Sequence, residues 1–213
     1  MRRAQRKYKY VQKLRDEFEK RKNKIRARLA EFAEVSSEEY FYELAYCLLT
    51  PQSSAVNAEK AITALKTENY LDTEVDAASI LYKKQHYIRF HNTKGKHLRE
   101  LKTRFDDVRQ HLCSGSTGAV LREWLVKNVK GLGWKEASHF LRNIGHRDLA
   151  ILDRHILKNL KKHNVIRAVP KSLTAKRYFT IERKFMQFAA EVRVSMDELD
   201  LLFWSNETGE VLK

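Results

Sequence analysis

The chain has 213 residues, 43% of them hydrophobic, and its 42 Lys and Arg against 27 Asp and Glu leave a formal net charge of +15. This length fits one domain or two small lobes. The sequence has no run of about eighteen apolar residues, so the chain is not expected to span a membrane. Two cysteines, Cys47 and Cys113, are too few for a disulfide framework or a four-thiolate cluster. A surface this basic favours polyanions, and nucleic acid is the commonest of these.

Scarce glycine (7) and proline (2), with apolar residues three and four apart, predict an all-α chain. The first helix should bury an apolar stripe made of Val11, Leu14, Phe18, Ile25, Leu29 and Phe32. Ser36 and Glu39 have the spacing of a capping box, which predicts that the second helix begins there. Pro51 should end that helix.

The rest of the chain continues this pattern. Helices are predicted over residues 55–66, 75–83, 93–112, 118–128 and 136–144, with a loop at 114–117. After Asp153 we expect a helix to about His163, a loop that holds Pro170, and a long helix from Thr174 to about Val192. A second capping box, Ser195 with Glu198, should begin the last helix.

The most informative segment is VKNVKGLGWKEASHFLRNIG, residues 126–145. Gly131 and Gly133 lie between two helical segments, and both can adopt positive φ and leave the backbone unshielded. Amides at the start of a helix bind a phosphate oxygen without reading sequence, and the turn's carbonyls can bind a monovalent cation. An ordinary corner between two helices is the alternative. The whole pattern favours a helix-hairpin-helix.

Two residues near this turn have the chemistry of a catalytic pair. Lys135 begins the second helix, where a cation opposes the helix dipole, and the same positive end helps to hold an amine neutral for nucleophilic attack. Asp153 follows the apolar run LAIL, which should be buried and should fix the carboxylate. A solvated lysine and a simple N-cap aspartate are the alternatives. His155 can donate to a phosphate or simply lie exposed.

These motifs resemble a known family. The chain is similar to the short, archaeal-type second family of 8-oxoguanine DNA glycosylase/AP lyases, within the helix-hairpin-helix glycosylase superfamily. The densest agreement lies in GLGWKEASHFLRNIG, LAILDRHIL, LDLLFW and the final TGEVLK. The resemblance spans nearly the whole chain, and the four-cysteine iron–sulfur motif of the superfamily is absent here, as in this branch.

The resemblance implies roles for individual residues. It makes Lys135 the nucleophile that forms a Schiff base and Asp153 the catalytic aspartate. It makes Phe90 and Trp204 the aromatic residues that enclose the flipped base, although an aromatic residue on an amphipathic helix is usually core. Lys213 matches the terminal lysine whose α-carboxylate helps to recognise the lesion.

One implied role falls on a departure from the family pattern. Gln52 occupies the place of the residue that fills the vacated base stack, where the family often has an Ala-Asn type sequence and this chain has Pro51-Gln52. The residue pattern itself adds Gly131, Gly133 and His155 as candidates for contact with DNA.

The implied architecture is the helix-hairpin-helix DNA glycosylase fold, with two helical lobes and a cleft between them. We expect residues 36–145 to form a six-helix lobe that ends in the hairpin, and residues 1–35 with 146–213 to form the second. The expected partner is double-stranded DNA that contains oxidised guanine, and no membrane contact is expected. We expect no metal or redox cofactor. The protein should act as a monomer, in the cytoplasm at the nucleoid. A non-catalytic DNA-binding hairpin module, or a glycosylase for another lesion, is the alternative.

Overall fold

The computed structural model describes residues 8–209, and within them every regular element is helical. The helices are α1 (Val11–Ala33), α2 (Tyr40–Leu49), α3 (Ala55–Thr67), α4 (Ala77–Leu81), α5 (His91–Thr103), α6 (Phe105–Leu112), α7 (Gly118–Asn128), α8 (Trp134–Asn143), α9 (Arg154–Lys162), α10 (Ala175–Val192) and α11 (Met196–Thr208), with a single 3-10 turn at Lys84–His86. The predicted all-α class is confirmed. Over the same residues, no helix has both the length and the apolar character needed to cross a membrane.

The chain divides into two units, and the first is Val35–Phe140. Its core is built on α2, which is buried along most of its length and packs against α3 and α5. Phe41 contacts the rings of Tyr70 and Phe105 at centroid distances of 6.1 and 5.1 Å. Helix α5 also packs against α4 and α6.

The second unit combines the described residues up to Glu34 with those from Leu141 onward. Helix α1 packs against α10 and α11, and α9 packs against α11. The predicted stripe of α1 is buried at Leu14, Phe18, Ile25, Leu29 and Phe32, while Val11 is only half-buried. A buried ion pair joins Arg142 Nη1 to Asp200 Oδ2 at 3.0 Å.

Two capping boxes were predicted, and one of them forms. Ser195 Oγ accepts from the Glu198 amide, and the Glu198 carboxylate accepts from the Ser195 amide at 2.9 Å, so α11 begins as expected. The capping box predicted at Ser36 does not form, so that prediction is wrong. Helix α2 begins only at Tyr40 without a side-chain cap, and the carboxylate of Glu39 bonds to Lys66 instead.

The predicted helix over 93–112 is also wrong as a single element. It starts earlier, at His91, and breaks at Arg104, where φ is −115° and the amide bonds back to Leu101 and Lys102. Helix α4 begins at Ala77, because Asp76 caps it by accepting from the Ser79 amide, and it ends at Leu81, so it is shorter than the predicted 75–83. Seven α-helices therefore begin between residues 35 and 140, where six were expected.

Candidate active site

The glycine turn lies between α7 and α8 in the first unit, and its two glycines do different things. Gly131 has φ +86°, and a Cβ there would lie within 2.8 Å of His97 Cε1. The expectation of a positive φ at Gly133 is wrong, because Gly133 is not among the residues with left-handed backbone. Its carbonyl accepts the first hydrogen bond of α8, from the Ala137 amide at 2.9 Å. Gly133 is therefore the N-cap of α8, and its missing Cβ leaves room for Glu136 Oε2, 2.9 Å away from where that Cβ would be.

Lys135 is the second residue of α8 and lies in its first turn. Its side chain is 25% exposed, and Nζ lies 3.5 Å from Glu136 Oε1. The neighbouring carboxylate offsets the unfavourable placement of a cation at a helix N-terminus. Sequence reasoning missed Glu136, although an acidic residue in the first turn of a helix is a common pattern.

Gln52 and Phe90 lie in two turns of the same unit, and both are non-glycine residues with left-handed backbone. Gln52 has φ +59° in the turn after α2, and Phe90 has φ +62° just before α5. Both side chains are exposed, and the Phe90 ring, 49% exposed, has the Arg89 guanidinium 5.0 Å from its centroid. A strained backbone that holds an aromatic ring in solvent makes Phe90 a candidate for a ligand contact.

The polar support beneath these turns was not predicted. Lys94 is only 6% exposed, and burial lowers the pKa of its ammonium from 10.5 to about 8. His97, one turn further along α5, lies against Gly131; burial and then the charge of Lys130 lower its pKa. A lysine between polar residues gives no local signal of burial, because lysine side chains are almost always exposed.

Asp153 caps α9 in the second unit, where its Oδ1 accepts from the Ile156 amide at 2.8 Å. The preceding residues 149–152 are buried as predicted. Glu182 accepts from the Ala150 amide at 2.8 Å, while the Tyr178 hydroxyl donates to the Ala150 carbonyl and accepts from the Leu152 amide. These long-range bonds fix the segment that carries Asp153, and nothing in the local sequence indicated them.

His155 and Trp204 come together in the second unit. Their ring centroids are 5.2 Å apart, and His155 Nδ1 lies 3.5 Å from Glu207 Oε2. His155 Nε2 accepts from Arg154 Nε at 3.1 Å, because a guanidinium only donates. For His155 to donate to a phosphate, its ring would first have to break the contact with Glu207 or with Arg154. Trp204 is half-buried, so part of its ring remains accessible.

Two further expectations concern the chain end and metals. Lys213 lies outside the described residues. Among residues 8–209, no group of three or more His, Cys, Asp and Glu side chains is placed to hold a metal ion.

Comparison with known proteins decides the family. Residues 25–194 match the sequence profile of the Ogg-HhH family, described as 8-oxoguanine DNA glycosylase. The chain belongs to the 8-oxoguanine DNA glycosylase family. It is 39% identical to an 8-oxoguanine DNA glycosylase/AP lyase of Fusobacterium nucleatum, with 96% of this chain and 98% of that protein covered. It is 40% identical to an 8-oxoguanine DNA glycosylase/AP lyase of Korarchaeum cryptofilum, with 89% of this chain and 90% of that protein covered.

A solved structure of the family agrees with the fold. The Methanocaldococcus jannaschii 8-oxoguanine glycosylase/lyase, in complex with a 15mer DNA that contains 8-oxoguanine, is 35% identical with a TM-score of 0.83, over 94% of this chain and 99% of that one. The predicted family and the helix-hairpin-helix fold are thus confirmed. The roles of individual residues stay predictions. The profile match includes Phe90, Lys135 and Asp153 and ends before Trp204.

Proposed function

We propose that this protein excises 8-oxoguanine from double-stranded DNA and then cleaves the abasic strand by β-elimination through a Schiff base on Lys135. The observation that carries the proposal is the placement of Lys135. It is a partly exposed amine in the first turn of α8, directly after the hairpin, in a chain that matches the glycosylase family over residues 25–194. Amides at the start of α8 suit a DNA phosphate, and the hairpin carbonyls suit a monovalent cation.

The base must leave the duplex before any chemistry, because stacking hides its glycosidic carbon. Aromatic faces replace the lost stacking, which is worth about 1–3 kcal/mol per base. The exposure of Phe90 and the accessible part of Trp204 support that role. Gln52, exposed at the tip of its turn, fills the space that the base leaves.

Lesion recognition follows from the chemistry of oxidised guanine. Oxidation at C8 places a proton on N7, which in guanine is an acceptor. An acceptor that faces N7 therefore attracts the lesion and repels guanine. We assign this acceptor to Lys213, as the resemblance to the family implies.

The chemical steps need only an amine and a carboxylate. Neutral Lys135 Nζ attacks C1′ with its lone pair, and the base leaves with the electron pair of the C1′–N9 bond and takes up a proton. The attached nitrogen then gives up one proton. As the C1′–O4′ bond breaks, the nitrogen lone pair forms the C1′=N bond and O4′ takes up a proton, which gives a protonated Schiff base. A general base then removes a C2′ proton, the C2′–H electron pair forms the C2′=C3′ double bond, and the C3′–O bond breaks with its electron pair on the leaving phosphate. The Asp153 carboxylate stabilises positive charge that develops on the sugar. The route uses no metal or redox cofactor, and one copy of the chain suffices.

Borohydride trapping tests the assignment, because reduction of a Schiff base joins the protein covalently to DNA. The wild-type protein should release 8-oxoguanine and become trapped, whereas Lys135→Gln should lose both activities. Lys127→Gln is the matched control, because Lys127 is an exposed lysine of α7 that pairs with Glu123 at 2.7 Å. Retained trapping by Lys135→Gln would refute the assignment. A wild-type protein that binds duplex in a salt-sensitive way without base release would refute the activity itself.

A further inference from the structure

Two turns of the first unit carry proposed DNA contacts, and a buried polar cluster joins them. The first turn follows α2 and carries Gln52; the second precedes α5 and carries Phe90. Both residues have left-handed backbone. Such conformations persist in non-glycine residues only where the surrounding structure holds them in place.

The centre of the cluster is Lys94. Its Nζ donates to Leu49 O and Pro51 O, both at 2.7 Å, and to Ser53 Oγ at 3.3 Å. An ammonium has three donors, so all three are used on one turn. In the described part of the chain, no ion pair joins Lys94 to a carboxylate. Its charge therefore stabilises the carbonyls of Leu49 and Pro51 at the C-terminal end of α2, which is the negative end of the helix dipole.

The same cluster reaches the second turn. Ser53 Oγ also accepts from the Arg89 amide at 3.0 Å, and Asn57 Nδ2 donates to Tyr87 O at 3.0 Å. Lys94 lies one helical turn after Phe90, and its amide bonds to the Phe90 carbonyl at 2.9 Å. One side chain thus bonds the Gln52 turn while its own backbone holds the Phe90 turn.

We propose that Lys94 is a positioning residue that holds the Gln52 turn and the Phe90 turn in a fixed mutual geometry, so that the extruded base and the gap it leaves are engaged together. The inference rests on the proposed function, because it depends on the roles given there to Gln52 and Phe90. A lysine buried without a carboxylate destabilises a fold, so its presence here points to the bonds that it makes. A methionine at this place keeps the volume and loses every donor.

The experiment compares two substrates of the full-length protein. Base release from an 8-oxoguanine duplex needs extrusion, whereas borohydride trapping on a preformed abasic site needs no damaged base. In single-turnover assays, Lys94→Met should slow base release at least about tenfold while trapping on abasic DNA stays within about twofold of wild type. A 2-aminopurine placed next to the lesion fluoresces more when the damaged base leaves the stack. Lys94→Met should remove this increase when the protein binds the duplex. Lys96→Met, an exposed lysine on the same helix, is the control and should leave the ratio of the two rates unchanged.

A general loss of structure would lower both rates together, and that outcome, or no loss in either rate, would overturn the inference. Ser53→Ala provides a second route if Lys94→Met does not fold, because it removes only the oxygen shared by Lys94 and Arg89. It should give the same selective loss at about threefold, and an unchanged ratio would overturn the inference too. A wild-type protein without base release would instead refute the proposed function, so the two failures are distinguishable.

Discussion

Replacing Gly131 with alanine tests the hairpin through its backbone. A non-glycine residue at φ +86° costs about 1 kcal/mol of folding free energy. The new Cβ would also lie 2.8 Å from His97 Cε1 and 3.1 Å from His97 Cγ, and such overpacking costs about 1–3 kcal/mol more. We therefore expect Gly131→Ala to lower the free energy of unfolding by about 2–4 kcal/mol. Its affinity for duplex DNA at fixed salt should fall as well, because the hairpin amides move.

The chain offers a control that separates the two contributions. Gly115 has φ +74° and open space around it, so Gly115→Ala should show only the backbone cost of about 1 kcal/mol. Urea unfolding followed by circular dichroism measures both variants. Adding His97→Ala to Gly131→Ala should recover the overpacking part, as a coupling of about 1–3 kcal/mol in a double-mutant cycle. Equal losses in the two glycine variants, with no coupling to His97, would show that the close approach has no energetic effect.

Three further outcomes are expected. Burial lowers the pKa of Lys94 from 10.5 to about 8, so between these pH values the unfolded chain holds a proton that the folded chain has released, and stability rises with pH by up to about 3 kcal/mol. Lys94→Met should remove that rise from urea titrations run at about pH 7 and pH 10, and an identical rise in both proteins would contradict the pKa assignment. Asp153→Asn keeps the acceptor for the Ile156 amide, so thermal stability should hold while single-turnover base release falls at least about a hundredfold; unchanged turnover would reduce Asp153 to a cap. Ser195→Ala removes one half of the capping box of α11 and should lower the free energy of unfolding, measured in urea, by about 1 kcal/mol. An unchanged free energy of unfolding would show that packing alone determines where α11 begins.

Local patterns predicted the helices whose ends depend on neighbouring residues. The box of Ser195 and Glu198 needs only three residues of spacing, and Thr174 likewise caps α10 by accepting from the Arg177 amide. The box of Ser36 and Glu39 has the same spacing but does not form, because Glu39 bonds to Lys66, 27 residues away. A pattern of neighbouring residues does not show whether a residue far away in the chain will compete for the same side chain.

The break at Arg104 has the same kind of cause. Leu98, Leu101, Phe105, Val108 and Leu112 keep helical spacing across the break, and all five are buried, so periodicity predicts one helix. The structure has two, and Arg104 instead donates to Asn128 O, at the end of α7. Periodicity reports which residues are buried, and does not report where the chain bends to bury them.

Sequence by itself determined the all-helical class, the hairpin at Gly131, the amine at Lys135 and the cap at Asp153, because each depends on residue type and short spacing. Tertiary structure alone decided what holds these groups: Tyr178 and Glu182 behind the Asp153 segment, His97 against Gly131, and Lys94 beneath Gln52 and Phe90. Apart from the backbone bond between Lys94 and Phe90, these contacts join residues about 26 to 45 positions apart. They arise only once packing has removed water and left each buried polar group to find a partner inside the protein.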